Sequence, residues 1–329
     1  MKNGLLTLMT IPQKIIWLCA GLLLSGGLNV HAADAPKRVL VVTTTTGFRH
    51  SSIPTAEKII GELATKSGKF TVDYAGVNPN APEYNGADSK PDKEKVNAAI
   101  VRVLAEKMSP AALKNYDAVI FANTTGDLPL PDKAAFLDWI KSGKGFVGMH
   151  AATDTFRGHE PMDPYIEMIG GEFKQHGAQV EVTAINQDPD CPACRHLPAN
   201  WVVFDEIYQL KNFDRAKVHG LLTLDKHPND KTPGDYPIAW LKEYGQGRRF
   251  VPQHQAELLT LKDWPGRPGR VFYTSLGHRE DMWDPNWKDA KGERKNPPAV
   301  AEAYQQHVLH GILWALGLEK ADARPQSAK

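Results

Sequence analysis

Histidines beside small residues, and acids beside histidines, are the features of this chain most suited to chemistry. His150 stands in Gly148-Met149-His150-Ala151-Ala152, where small neighbours permit the sharp strand-to-loop turn that exposes a nucleophile in elbow-type hydrolases. The elbow position holds an imidazole in place of Ser, Cys or Thr, so covalent acyl transfer lacks its nucleophile there. An imidazole suits general acid/base work or metal ligation; the plain alternative is a histidine hydrogen-bonded within a packed turn. His50 follows Arg49 on a Thr-rich loop. That pairing suits an anionic or polyhydroxylated ligand, against a merely solvated loop. His278 lies between Gly277 and Arg279, with Glu280 and Asp281 adjacent, so a carboxylate is at hand to orient the ring. In VVFDEIYQL, Asp205 and Glu206 are neighbours and face opposite sides of a strand. Glu206 and Tyr208 then share a face and are the preferred inward pair.

The remaining candidates are weaker. His307 and His310 are three apart on a helical stretch among apolar residues, a spacing that reads as packing. His159, His219, His227 and His254 show no partner pattern, and neither HExxH nor GxxxxGK[ST] nor GxGxxG occurs, which leaves nucleotide binding by those motifs unsupported. Cys191 and Cys194 form CPAC among Pro189, Pro192 and Pro198. A redox pair prefers a helix start, and a structural zinc needs two further ligands, with only His196 near. A local disulfide staple is the expectation in an oxidising compartment.

These residues need elements to hold them. Residues 38–43 are a β-branched apolar run, expected as a buried parallel strand. A helix is expected from Pro54 through Ala64, a strand over Phe70–Ala75, a long loop over 76–92, and a helix over Val96–Leu104. Asp117–Ala122 reads as a strand, Pro131 to Ile140 as a helix and Gly145–Met149 as a strand. Alternation of this kind predicts βαβ units in a doubly wound, mostly parallel α/β sheet. Further strands are expected at Gln179–Ala184, Trp201–Leu210, Val218–Leu224, Pro237–Tyr244 and Arg270–Ser275, then a helix over Val300–Leu316. Ligands of such sheets sit beyond the carboxyl ends of the strands. That edge collects Phe48, Arg49 and His50; Asn123, Thr124, Thr125, Gly126 and Asp127; His150 and Asp154; and Gly277, His278, Arg279 and Glu280.

The chain has 329 residues, 42% hydrophobic and 23% charged, with a formal net charge of +1. This is a globular composition, and the balance argues against a nucleic-acid partner. The first 32 residues carry Lys2 and Lys14, an apolar run Ile15–Leu24, and Val30-His31-Ala32 before Ala33. That is the pattern of a secretory signal cut after Ala32, with Ala33 as the second choice. The run is short for a membrane span of about 30 Å. Export to an oxidising compartment, the periplasm, is expected. Removing residues 1–32 leaves 37 bases against 38 acids, a charge of −1. The tail 321–329 is polar and expected to fray. No linker divides residues 33–320, which read as one domain with insertions.

Taken together, VLVVTTTTGFRHSS, YDAVIFANTTGD, FLDWIKSGKGFVGMHAATDTF, FDEIY, YPIAWLKEYGQG and RVFYTSLGHRED resemble a ThuA-like (trehalose-utilisation) domain from about Val39 to Leu318. The resemblance implies a flavodoxin-like fold of the class I glutamine amidotransferase type. It also implies a role in the metabolism of trehalose, related disaccharides or keto-sugars. The amidotransferase relatives carry Cys at the elbow where this chain has His150, so Cys-dependent chemistry is not expected. The matching blocks fall on Arg49, His50, Asn123 to Asp127, His150, Asp154, Asp205, Glu206, Tyr208, Trp240, Gly277 and His278. Tyr236 stands where the family often has His, and residues 248–269, CPAC and 291–298 look inserted. The expected roles are His150 as central acid/base with His50, His278 and Glu206 as partners, and Trp240 and Tyr208 as sugar-stacking faces. The rivals are a non-catalytic carbohydrate-binding protein and a metal-assisted hydrolase or isomerase. In the latter, His50, His150, His278 and an acid hold a divalent ion such as zinc. A homo-oligomer is compatible with all three.

Overall fold

The β-branched run near residue 40 forms strand β1 (Lys37–Val42), whose side chains alternate between two cores. Val39 and Val41 enter one core, Leu40 and Val42 the other, as a parallel strand buried on both faces requires. The computed structural model describes Met1, residues 35–245 and residues 267–326. The expected signal segment 1–32, most of the 248–269 insertion with His254, and residues 327–329 lie outside the described residues. Ala35–Lys329 clusters as one compact unit.

After β1 come α1 (Ile53–Ser67), β2 (Phe70–Ala75), α2 (Lys93–Lys107), a short α3 (Pro110–Leu113), β3 (Ala118–Ala122), α4 (Lys133–Lys141) and β4 (Gly145–Met149). A 3-10 turn over His150–Asp154 and α5 (Pro164–Ile169) follow. The chain continues through β5 (Glu172–His176), β6 (Val180–Asn186), β7 (Asn200–Asp205), β8 (Tyr208–Lys211), β9 (His219–Lys226) and β10 (Pro233–Tyr244). Then come β11 (Gly269–Thr274), a short α6 (Glu280–Trp283) and α7 (Pro298–Ala315). The main sheet has the order β2-β1-β3-β4-β11-β10-β9-β6-β7. β2, β1, β3, β4 and β11 run parallel, in the flavodoxin-like order in which the fifth strand lies beside the fourth. β10, β9, β6 and β7 extend that sheet antiparallel. The sheet is therefore mixed, with a parallel core.

Helices cover both faces. Ala56, Ile59, Ile60 and Leu63 of α1 and Tyr304, Val308 and Ile312 of α7 fill one core. Ala99, Ile100 and Leu104 of α2, Phe136 and Ile140 of α4 and Tyr165 and Ile166 of α5 fill the other. Sequence periodicity locates α1 well: Pro54 lies in its first turn and Gly68 closes it.

Three local expectations change. The single strand expected over Trp201–Leu210 is broken: β7 pairs with β6 in the main sheet, whereas β8 pairs with β5 in a separate ribbon. Asp205-Glu206 therefore sits at a corner where the chain leaves one sheet for another. Cys191 and Cys194 are free, buried thiols instead of a staple. Asn186 holds their turn by donating to the Cys194 carbonyl at 3.0 Å, and Asp188 accepts from the Cys191 amide at 3.1 Å. The tail also departs from fraying as far as Gln326, which donates to the Gly220 carbonyl at 2.6 Å.

His307 is fully buried on α7, as packing predicted. Its Nδ1 lies 2.8 Å from the Ala193 carbonyl and so carries the proton, while Nε2 has no partner among the described residues. Burial, opposed by the Ala193 bond and aided by His196 and His310, lowers its pKa to about 4. A histidine depressed on folding adds stability above its unfolded pKa, lost as pH falls through the folded value. The fall from 6.5 to about 4 corresponds to about 3 kcal/mol. His307→Gln should therefore flatten the decline in unfolding free energy between about pH 6.5 and 4, measured by urea titration. An unchanged slope would refute this assignment.

Candidate active site

Polar side chains are buried in quantity at the carboxyl edge of the parallel strands. Thr43, Thr44, His50, Ser52, Asn123, Thr124, Thr125, His150, Thr274 and Ser275 are all nearly or fully inaccessible. Burying polar groups is costly unless they are bonded or used, so this layer marks the working edge. Within it, one ligand-capable atom from each of His50, His150, Glu206 and His278 lies within 4.8 Å of the others.

Each member is fixed by its own element. His150 follows β4 directly at φ 44°, with buried Ala151 and Ala152 behind it. A side chain on Gly148 would meet Ile169 Cδ1 at 2.8 Å and Ala152 Cβ at 3.2 Å. The small-residue signal thus corresponds to an elbow with an imidazole at its apex. The Tyr273 hydroxyl donates to the His150 carbonyl at 2.8 Å. His150 Nδ1 lies 2.8 Å from the Ser275 carbonyl, which can only accept, so Nε2 is left as the free lone pair.

His278 Nδ1 lies 3.2 Å from His150 Nε2 and 3.3 Å from Glu206 Oε1, and His150 Nε2 is 3.7 Å from that same oxygen. His50 stands edge-on to both rings, with centroids 4.8 Å from His150 and 5.2 Å from His278. Its loop is pinned to the β3 loop, where Thr125 Oγ1 donates to the Phe48 carbonyl at 2.7 Å and the Thr46 amide to the Thr125 carbonyl at 3.1 Å.

The corner after β7 seats Glu206. Fully buried Asp205 accepts from the Gly277 amide at 2.7 Å and from the Glu206 amide at 3.0 Å. It therefore brackets the Glu206 loop to the His278 loop, and both neighbouring acids serve the site. The apparent insertion 291–298 strengthens the bracket. Asn296 bonds the backbone of Phe204 in both directions at 2.9 and 2.8 Å, and also donates to Asp281 Oδ1 at 3.1 Å.

The electrostatics divide the imidazoles. Burial, then His50 and His278, hold His150 well below the ordinary range. Burial, then His278, lowers His50 to about 4. Burial also works against protonation of His278, but Glu206, Asp205 and Glu280 outweigh it and raise that pKa. The cluster thus combines two neutral imidazoles with one that favours the cation beside a carboxylate. Burial raises both Asp205 and Asp154 to about 6.

The other candidates take different positions. Asn123 is structural: its amide donates to Ser52 Oγ at 2.9 Å and to the Gly277 carbonyl at 3.2 Å. Thr124 bonds Thr155 at 2.7 Å, and exposed Asp127 bonds His159 at 2.9 Å. Arg49 donates to the Thr43 carbonyl at 3.1 Å and lines a separate hollow with Pro54, Glu57 and Tyr74. Asp154 pairs with Arg157 beside the cluster and is close enough to His176 to feel its charge. Tyr208 walls the cluster, 4.3 Å from the His150 ring, but is 4% exposed. Trp240 is corrected outright as a sugar-stacking face. It is fully buried on β10 against Tyr273, and its indole donates to the Ile169 carbonyl at 2.9 Å.

One residue at the site carries no signal in the sequence. His176 Nδ1 lies 3.1 Å from Glu206 Oε2. It reaches the site because β5 pairs with β8, placing His176 opposite Tyr208, a pairing no local pattern announces. Phe48, expected at the ligand edge but without a role, is 67% exposed with its ring 4.9 Å from His50. An exposed aromatic on a polar loop was its available signal.

The sequence profile of the family described as ThuA, trehalose utilisation, matches residues 38–290. No protein with a curated description matches. Among solved structures, a ThuA-like protein from Parabacteroides merdae ATCC 43184 is similar at TM-score 0.57 and 17% identity, over 87% of this chain and 92% of that one. A ThuA-like protein from Bacteroides uniformis ATCC 8492 gives TM-score 0.53 and 18% identity, over 88% of this chain and 95% of that one. At these identities the likeness concerns the fold.

Proposed function

The chain belongs to the ThuA family, described by trehalose utilisation, and from that premise we propose that it is an enzyme acting on trehalose, a related disaccharide or a keto-sugar derivative at the histidine–glutamate cluster. The observation that carries the reading is the convergence of four separate chain segments on His50, His150, Glu206 and His278 within 4.8 Å. A binding protein needs hydrogen bonds and stacking faces for a sugar; it has no need of three packed imidazoles and a carboxylate. Those groups suit proton transfer and polarisation at a hydroxyl, carbonyl or glycosidic oxygen. No Ser or Cys occupies the elbow, so covalent acyl transfer is not the chemistry proposed. Phe48, and not Trp240, is the aromatic placed to receive a sugar face. His176 and Asp154 flank the cluster. We also propose export to the periplasm, on the signal pattern of residues 1–32; N-terminal sequencing of protein from that fraction should begin at Ala33 or Asp34.

The test is incubation with a panel of disaccharides and their 3-keto derivatives, with product analysis alongside calorimetry. Product formation from at least one member supports the reading, and Phe48→Ala should then raise KM with kcat largely retained. Saturable binding without product from any member would establish the carbohydrate-binding alternative instead. Absence of both would reject the sugar assignment.

A further inference from the structure

We infer that His50, His150, Glu206 and His278 form a site for one divalent first-row transition-metal ion, zinc foremost. The inference deepens the proposed catalytic reading of the same cluster and rests on that reading only for what the ion would do. Three of the donor atoms already form a triangle: His278 Nδ1 to His150 Nε2 is 3.2 Å, His278 Nδ1 to Glu206 Oε1 is 3.3 Å, and His150 Nε2 to Glu206 Oε1 is 3.7 Å. Ligands about 2.1 Å from a tetrahedral zinc stand about 3.4 Å from one another. The triangle therefore matches one face of that tetrahedron, and His50 supplies a donor for the remaining corner within 4.8 Å.

The surroundings match those of ligating residues. His150 Nδ1 bonds the Ser275 carbonyl, so Nε2 carries the lone pair toward the cluster, and a carbonyl behind a histidine is the usual outer-shell device. Glu206 turns Oε1 into the triangle while Oε2 faces His176 Nδ1 at 3.1 Å. Three imidazoles and one carboxylate are a donor set for Zn, Fe, Co or Ni; calcium and magnesium prefer oxygen. A hydrogen-bonded network without an ion explains less. One proton on His278 Nδ1 serves its contacts with His150 or Glu206, but His50 Nδ1 remains buried without a partner among the described residues. Among the described residues this is the one group of at least three such side chains so placed.

The experiment is metal counting on the purified full chain. Protein stripped with chelator, loaded separately with Zn²⁺, Co²⁺ or Mn²⁺ and desalted should retain about one ion per chain for zinc. His278→Ala and Glu206→Ala should lower zinc retention at least tenfold while keeping the circular dichroism spectrum of the stripped wild type. Cobalt loaded into the wild type should show visible bands of a four-coordinate site, a readout that does not depend on either variant folding. Retention below about one-tenth of an ion for every metal, or undiminished zinc in two folded variants, would overturn the inference. Product formation by the metal-free chain would overturn a catalytic role for the ion yet leave the proposed function standing. Stoichiometric zinc without turnover on the panel would do the reverse.

Discussion

For the carbohydrate reaction proposed above, His278→Ala is expected to lower kcat by about 10²- to 10⁴-fold, the range typical of a lost acid/base group. Melting temperature should move little. His278 is the cluster residue best suited to this test. Its side chain is 19% exposed, whereas that of His150 is inaccessible, so truncation leaves no sealed cavity. Its imidazole is also the one whose pKa is raised, by Glu206, Asp205 and Glu280 against burial. Whether it delivers a proton or holds an ion, its nitrogen lies 3.2 Å from His150 Nε2 and 3.3 Å from Glu206 Oε1. Removing it leaves each of those groups without that neighbour. His278→Gln keeps a polar side chain but neither titrates nor ligates as imidazole does, so it should be nearly as inactive. A loss confined to KM would identify His278 as a binding group. Activity within threefold of the wild type would remove it from the chemistry altogether.

Much of this site was legible in the sequence because its members sit where strands end. His50, His150 and His278 follow β1, β4 and β11, and structural Asn123 follows β3; these are four of the five parallel strands, and apolar runs locate them. Glu206 was identified, but for an incomplete reason. Alternation along one strand cannot reveal that the strand breaks after Asp205 and that both acids then serve the site. Trp240 shows the opposite limit. An aromatic in a recognisable block looks available to a ligand, yet β10 lies inside the sheet between β9 and β11 and its tryptophan is covered. His176 depended on the pairing of β5 with β8. Such long-range pairing is a tertiary fact that local periodicity does not carry.

Gly277→Ala should be the most disruptive small substitution at the site, lowering unfolding free energy by about 2–5 kcal/mol. Two costs combine. Gly277 has φ 111°, a conformation that strains any L side chain. An added methyl would also lie 2.6 Å from the Tyr304 hydroxyl and 3.1 Å from the Trp283 indole. The position is a junction as well. The Gly277 carbonyl receives Ser52 Oγ at 3.1 Å, Asn123 Nδ2 at 3.2 Å and Trp283 Nε1 at 2.9 Å, while its amide donates to Asp205 at 2.7 Å. Moving this backbone therefore disturbs the loops after β1, β3, β7 and β11 together. Gly292→Ala separates the two costs: φ there is 79°, but nothing lies within 4 Å of the added carbon. It should lose only the strain component, about 1–2 kcal/mol. Urea midpoints measure both, with circular dichroism confirming that the folded baseline is retained. If Gly277→Ala proves no more costly than Gly292→Ala, the junction yields easily and cannot be what holds His278 against Glu206. If it costs more and the surviving folded protein also loses turnover, the backbone hub is part of the catalytic architecture.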